Sequence, residues 1–595
     1  MDVSGKMDFT YKKDDNHKLF KSLEENPAFG IHNAQNYIPL YNSFFALTKT
    51  NYNSIVLNHK WKLHEIIAQE TNNSFKAKIK TSDDNKQTKK VFLKFSPLLD
   101  PIKYLLGKYD ITDTTLLNLP AFDSSASNPK VRDYNNSAYV DSFFTYLSSK
   151  LLHDHGFVHG MDFYGSFLTL KTDFCINIID DIDYLNESNF FRKNDKILYE
   201  LEENGLDELN SDTRNYKKKL NFTNSDDDKT ILQLSDITNL NELDTVLAEQ
   251  GQANLSELEV VTIDVNMDID MEKQQTRSRH SSCSSRTSNT SEGDVGGESL
   301  EDSLKEGSES EEEKEGEGDG DDEDEDEEDS QDNWESDKEE DDYDDEETLI
   351  AKIKKFPVQA IALEHCENTL DDFMSSTDKI TSEMWDSIVL QILFSLITFQ
   401  NAFSLTHNDL HTNNVMYVET DKKFLFYKLN HVYYRVPTFG KLFKIIDYGR
   451  AIYKFRGQLL CSDSYHPTGD AATQYNCEPY YNDKKPRLDP NFSFDLCRLG
   501  CALYDYLEDE PKSKIVQIML EWVKDDKGRN ILYKKNGDER YPDFKLYKMI
   551  ARTVNKHIPA TVLSNPYFDK FIVNKKEVVK KMKEVMDLDA IPSYM

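Results

Sequence analysis

The chain has 595 residues, with 108 Asp and Glu against 71 Lys and Arg, a net charge of −37. Residues 301–347 alone carry 30 acidic residues and three lysines, a net of −27 that leaves −10 for the rest. So acidic a surface repels nucleic acid and anionic lipid, so neither nucleic acid nor a membrane is expected as a partner.

Cysteine usage points the same way. Cys175, Cys283, Cys366, Cys461, Cys477, Cys497 and Cys501 are irregularly spaced and form no CxxC. That pattern fits reduced cytosolic thiols better than disulfides or a zinc site. Met1 to Lys6 offers no apolar h-region, and the longest apolar run, Ile388 to Phe399, is too short to span a bilayer. The expected location is the cytoplasm.

In chain order, residues 1–55 read as a polar, Asn-rich extension with an aromatic patch at Tyr37 to Tyr41. Leu63, Ile66 and Ile67, then Phe75 to Ile79, then Val91 to Phe95 predict an antiparallel series. Tyr139, Val140, Phe143, Phe144, Leu147 and Leu151 recur at helical spacing over 137–152. Strands are predicted at Phe163–Leu170 and Phe174–Ile179. From about Tyr184 the pattern collapses, and 185–349 reads as a Ser-rich and acidic insertion. It has too little apolar surface to offset the entropy of ordering, so disorder is predicted there. Order resumes at Phe356, with a strand over Pro357–Leu363. Trp385, Ile388, Val389, Ile392, Leu393, Leu396 and Ile397 form one apolar helical stripe. A strand at Val415–Tyr417, a Tyr-rich hairpin near 424–436 and a strand ending at Asp447 precede a mainly helical remainder. The predicted fold class is α+β.

Two stretches carry the chemistry. The first is His407-Asn408-Asp409-Leu410-His411-Thr412-Asn413-Asn414, and the second is Ile445-Ile446-Asp447-Tyr448-Gly449. Asp409 and Asp447 each end an apolar segment, where a purely structural carboxylate has little reason to sit. An Asp and an Asn five apart, followed by a strand ending in Asp-aromatic-Gly, resembles the phosphoryl-transfer site of the protein-kinase-like superfamily. The resemblance covers roughly residues 60–180 and 355–570. It implies a bilobal fold, with an N-lobe over 56–184 completed by a last strand and hinge at 350–367, and a helical C-lobe over 368–595. Val91-Phe92-Leu93-Lys94 resembles the strand that presents a lysine to the α- and β-phosphates of ATP. By the same resemblance Leu363 is the gatekeeper, and Glu364 and Cys366 belong to the hinge that binds adenine. Asp409 orients the acceptor hydroxyl, while Asn414 and Asp447 hold Mg2+. Asp141, in the 137–152 helix, is the expected partner of Lys94. Asp495 braces the catalytic loop, and Leu563 to Phe568 is similar to a segment near the end of protein kinases.

The departures are as specific as the matches. The nucleotide loop, Ala68 to Phe75, has no glycine and adds the charge of Glu70. Glycine lets backbone approach phosphates without a Cβ, and Asn72-Asn73 are the expected substitutes for unusual φ and ψ. Phe75 falls where the family has an aromatic. No A-P-E motif lies between Asp447 and Asp495. His411 replaces the usual lysine: D-L-H-x-x-N resembles haspin-type kinases, H-N-D-L resembles choline kinase, and D-L-H resembles aminoglycoside phosphotransferases. The whole pattern is most similar to the serine/threonine kinase-like proteins of large DNA viruses, which places the chain in the host-cell cytoplasm or the virion. The expected function is transfer of the γ-phosphate of Mg-ATP to Ser/Thr hydroxyls of protein substrates. A pseudokinase scaffold and a small-molecule kinase are the alternatives, and a basic protein is the expected partner of the acidic insertion. Asn408 stands in place of the arginine that senses a phosphorylated activation loop. Phosphatase treatment is therefore expected to leave activity unchanged, and loss of activity through a site within 450–490 would contradict this.

Overall fold

Burial alternates along three neighbouring segments: Leu63 and Ile66, then Phe75, Ala77 and Ile79, then Val91 and Leu93 are inward, with charged residues between them. This period of two makes one face of a sheet apolar. In the computed structural model, which describes residues 7–123, 125–201, 349–377, 379–508, 513–542 and 544–595, these segments join a seven-stranded antiparallel sheet. Its strands are β1 (Ile31–Gln35), β2 (Lys62–Gln69), β3 (Ser74–Lys80), β4 (Lys86–Pro97), β5 (Phe163–Asn177), β6 (Tyr199–Leu201) and β7 (Ile350–Glu364). The spatial order is β1-β5-β7-β4-β3-β2, with β6 also on β7. The register sets Lys94 of β4 opposite Ile361 and Phe92 opposite Leu363.

The sheet departs from the sequence reading in three places. The two strands expected at 163–170 and 174–179 are one, because β5 pairs with β7 from Phe163↔Leu363 to Asn177↔Ile350. Order does not end near Tyr184 or resume only at Phe356. Leu185, Phe191 and Tyr199 are buried, and Tyr199–Leu201 pair with Ala351–Ile353. Both sides of that ladder have weak local patterns, and only their pairing makes them strands. The rest of the expected insertion, residues 202–348, lies outside the described residues. Finally, β1 comes from the predicted N-terminal extension and forms an edge of the main sheet.

Helix α1 (Ser137–His155) is capped by the Asn136 side chain and ends at Gly156 in the left-handed region. Every residue from Ala138 to Leu151 is buried, so α1 is a core helix. One side packs on the N-terminal segment: Phe143 meets Phe9, Phe44 and Phe455 at 5.0–5.8 Å between ring centroids. On the other side Phe144 meets Phe399, Phe403, Tyr448 and Tyr453 at 4.4–5.4 Å. Phe399 and Phe403 belong to α2 (Ser382–Phe403). Among the described residues α2 is the one helix long and apolar enough to cross a membrane, but 94% of its apolar window is buried inside the fold.

After α2 come β8 (Val415–Glu419), the hairpin β9 (Phe424–Leu429) and β10 (Val432–Pro437), and β11 (Lys441–Ile445). β8 pairs with β11 from Val415↔Ile445. Helices α3 (Phe494–Leu507) and α4 (Lys545–Thr553) pack beyond them.

Phe144 joins α1 to α2 and to Tyr448, so Phe144→Ala is expected to cost about 3–5 kcal/mol. Phe424→Ala, at a ring 41% exposed, is expected to cost under about 1 kcal/mol. Denaturant midpoints compare the two, and equal effects would contradict the packing described.

Candidate active site

Three segments distant in sequence meet at one ammonium. Lys94 on β4 places its Nζ 2.7 Å from Asp141 Oδ2 and 2.8 Å from Asp447 Oδ1. Asp141 is buried on α1, and its Oδ1 accepts the backbone N–H of Tyr448 at 2.8 Å. One carboxylate thus joins β4, α1 and the turn after β11. Burial works against the charge on Lys94, but Asp141 and Asp447 hold its pKa above the ordinary lysine value. Burial raises Asp141 against the pull of Lys94. For Asp447 the lysine outweighs burial and lowers the pKa to about 2. Asp447 has φ 62°, and its side chain is 44% exposed.

The His407–Asn414 loop is braced from α3. Asp495 accepts the N–H of His407 at 3.0 Å and that of Asn408 at 2.8 Å. Asn408 has φ 65°, a conformation that Asn adopts more readily than most residues. Its amide donates to the carbonyls of Thr406 and Arg450 and accepts from the Tyr475 hydroxyl at 2.8 Å. His407 donates from Nε2 to the Ile446 carbonyl at 2.8 Å and accepts the Asp409 N–H at 3.3 Å. It therefore has a structural part in the loop.

Asp409 is only 7% exposed. Tyr547 on α4 donates its hydroxyl to Oδ1 at 2.8 Å, and that hydroxyl accepts from Arg498 Nε at 2.9 Å. Arg450 Nε lies 3.9 Å from Oδ2, and the same guanidinium pairs with Asp470. Burial would raise the pKa of Asp409; Arg450, His411, Arg498 and the Tyr547 hydroxyl together bring it below the ordinary value. Burial also pushes His411 down to about 4, so its imidazole is neutral at pH 7. It accepts from Asn414 Nδ2 at 3.1 Å, and Nδ2 also donates to the Asp409 carbonyl at 2.9 Å.

The β8–β11 ladder brings Asn414 beside Asp447, since Ile446 N–H donates to the Asn414 carbonyl at 3.0 Å. With Nδ2 engaged, the Asn414 amide is held in one orientation. An amide and a half-exposed carboxylate fit Mg2+, which takes one or two protein oxygens and completes its shell with phosphates and water. No group of three or more His, Cys, Asp or Glu suited to a metal occurs among the described residues.

At the expected hinge, Leu363 is 7% exposed and faces Phe92, two residues from Lys94. Glu364 is committed within the protein. Its N–H donates to the Asp162 carbonyl at 2.9 Å, and its carboxylate takes the Asp162 N–H at 2.7 Å and the buried ammonium of Lys444. Cys366 is buried, with Sγ 3.9 Å from Met161 Sδ, and its amide N–H makes no hydrogen bond among the described residues.

The segment expected to be the nucleotide loop differs from that expectation. No residue from Ala68 to Phe75 has positive φ, so Asn72-Asn73 do not supply the left-handed backbone that glycine would. Instead Ser74 closes a tight turn, donating to Thr71 Oγ1 at 3.1 Å and accepting from Glu70 N–H at 2.8 Å. Phe75 is not at the loop tip. It is buried in the sheet core against Phe29, 5.7 Å between centroids, because its place in the β3 alternation points it inward.

Tyr547, Arg450, Asp470 and Lys444 are the site residues that sequence reading misses. Arg450, next to Asp447-Tyr448-Gly449, has a local signal; Tyr547 lies 138 residues from Asp409 and has none. No protein-family model and no curated protein matches the sequence.

Lys94→Met leaves Asp141 buried without its cation. The expected loss of stability is roughly 3 kcal/mol, read from denaturant midpoints, with Lys94→Arg retaining most of it. A Lys94→Met chain as stable as wild type would show that the pair does not support the fold.

Proposed function

We propose that the chain is a cytoplasmic, bilobal, ATP-dependent protein kinase of the Ser/Thr type. The seven-stranded sheet with α1 would be its N-lobe, and the region after Cys366 its C-lobe. The observation that carries this reading is the Lys94–Asp141–Asp447 cluster, with Asn414 held beside Asp447 and Asp409 in the same braced loop. Phosphoryl transfer needs these groups because its catalysis is mostly positioning and charge stabilisation.

Lys94 is the cation for the α- and β-phosphates, preset by two carboxylates. Asn414 and Asp447 are the residues that would hold Mg2+, which supplies charge neutralisation on the phosphates. Asp409 orients the acceptor hydroxyl. Its low pKa makes it a weak base, so orientation rather than proton abstraction is its main contribution. His411, neutral at pH 7, adds no fixed positive charge where the family has lysine. Leu363 and the free amide of Cys366 suit an adenine edge.

A pseudokinase is the second reading. It is favoured by the loop at 68–75, which has neither glycine nor left-handed backbone, and by Tyr547, whose hydroxyl already occupies Oδ1 of Asp409.

The deciding measurement is transfer from γ-labelled ATP to a mixed protein substrate. Wild type is expected to label protein, and Asp409→Asn and Asp447→Asn are each expected to lower the rate roughly 10²–10⁴-fold. Thermal stabilisation by ATP with no labelled protein would support the pseudokinase instead.

A further inference from the structure

Helix α4 presents Tyr547 to Asp409, and on an adjoining face it carries Lys548 and Arg552. The Arg552 guanidinium donates to the Lys548 carbonyl at 2.8 Å and to the Thr473 carbonyl at 3.0 Å. Thr473 lies in the segment 470–476, which touches the Asp409 loop through Tyr475, a donor to Asn408, and the neighbouring Arg450 through Asp470. Lys485 joins the same surface, because Asn476 Nδ2 donates to its carbonyl at 3.0 Å.

Lys485 and Arg552 are exposed and Lys548 is half-buried. Burial, with Arg552 and Lys485 beside it, lowers the pKa of Lys548. Among the described residues none of the three forms an ion pair. The nearby carboxylates Glu478 and Asp489 are both taken by Arg487. Three like charges crowded without a counter-ion repel one another, a cost relieved when an anion sits among them. This concentration of positive charge is notable on a chain of net charge −37. Lys548 directly follows Tyr547, whose hydroxyl is 2.8 Å from Asp409, and extended chain covers about 3.3 Å per residue, so the occupant this surface suits is an anionic side chain a few residues from a hydroxyl at Asp409.

We propose that Lys485, Lys548 and Arg552 dock an anionic side chain of the acceptor protein, so that the substrate is a Ser/Thr flanked by acidic or phosphorylated residues. The proposal rests on the kinase reading for the word acceptor; the docking surface stands on its own geometry.

The test uses the full chain and fluorescent Ser-containing peptides flanked by Glu, by phosphoserine, by neutral residues or by Lys. Binding is followed by anisotropy, with transfer from γ-labelled ATP measured in parallel. The Glu and phosphoserine peptides are expected to bind about tenfold tighter than the neutral one, with the advantage fading as salt rises. Comparing them separates carboxylate from phosphate recognition. Lys485→Glu with Lys548→Glu is expected to abolish the preference, while Lys485→Arg with Lys548→Arg keeps it. Equal binding of the neutral or Lys peptide, or an unchanged preference in a folded double Glu variant, would overturn the proposal. Selective binding without any transfer would remove the kinase reading and leave the docking site. Transfer that ignores flanking charge would do the reverse.

Discussion

The ammonium of Lys94 between Asp141 and Asp447 is the interaction on which the rest of the site depends. Asp141 is buried on a core helix, and a buried carboxylate without a cation is unstable by several kcal/mol. Lys94 must therefore reach α1, and Tyr448 must donate its backbone N–H to the other oxygen of Asp141. Aspartate is one methylene shorter than glutamate, so β4 and α1 have to approach closely. The aromatic packing of Phe143 and Phe144 on both sides fixes α1 in place.

Around that cluster, buried polar groups are satisfied in chains. Asp495 supports the backbone of the loop, Asn408 ties the loop to Arg450 and Tyr475, and Arg498 reaches Asp409 through the Tyr547 hydroxyl. Such a network is rigid because losing any member strands the others in a low dielectric. It also gives Asn408 a positive role. Asn accepts left-handed backbone and offers both a donor and an acceptor, where a guanidinium would offer only donors.

Much of this was legible in the chain. Alternation of apolar and charged residues marked β3 and β4; a continuous apolar stripe marked α2; and the spacing of Asp409, Asn414 and Asp447 singled out Asn414 and Asp447 at the end of the β8–β11 ladder, with Asp409 tied to Asn414. Asp141 was accessible because it was the single carboxylate between Ser137 and Leu152. What was not legible has no local signature. β1 and β6 are strands because β5 and β7 offer them partners. Lys444 looks like any lysine in a strand until Glu364 is found beside it. Tyr547 reads as a core aromatic until its hydroxyl meets Asp409.

By itself the sequence determined the α+β class, the three strands leading to Lys94, the core helices and the choice of Lys94, Asp141, Asp409 and Asp447, because these follow from short-range periodicity and residue chemistry. Only the tertiary structure decided that Asp141 and Asp447 share one ammonium, that Phe75 turns into the core, that Asn72-Asn73 keep ordinary backbone, and that Tyr547 and Arg450 hold Asp409. Each of these is a contact between segments far apart in the chain, or a choice of sheet face. Such contacts are settled by burial and charge pairing in the folded protein, not by neighbours in sequence.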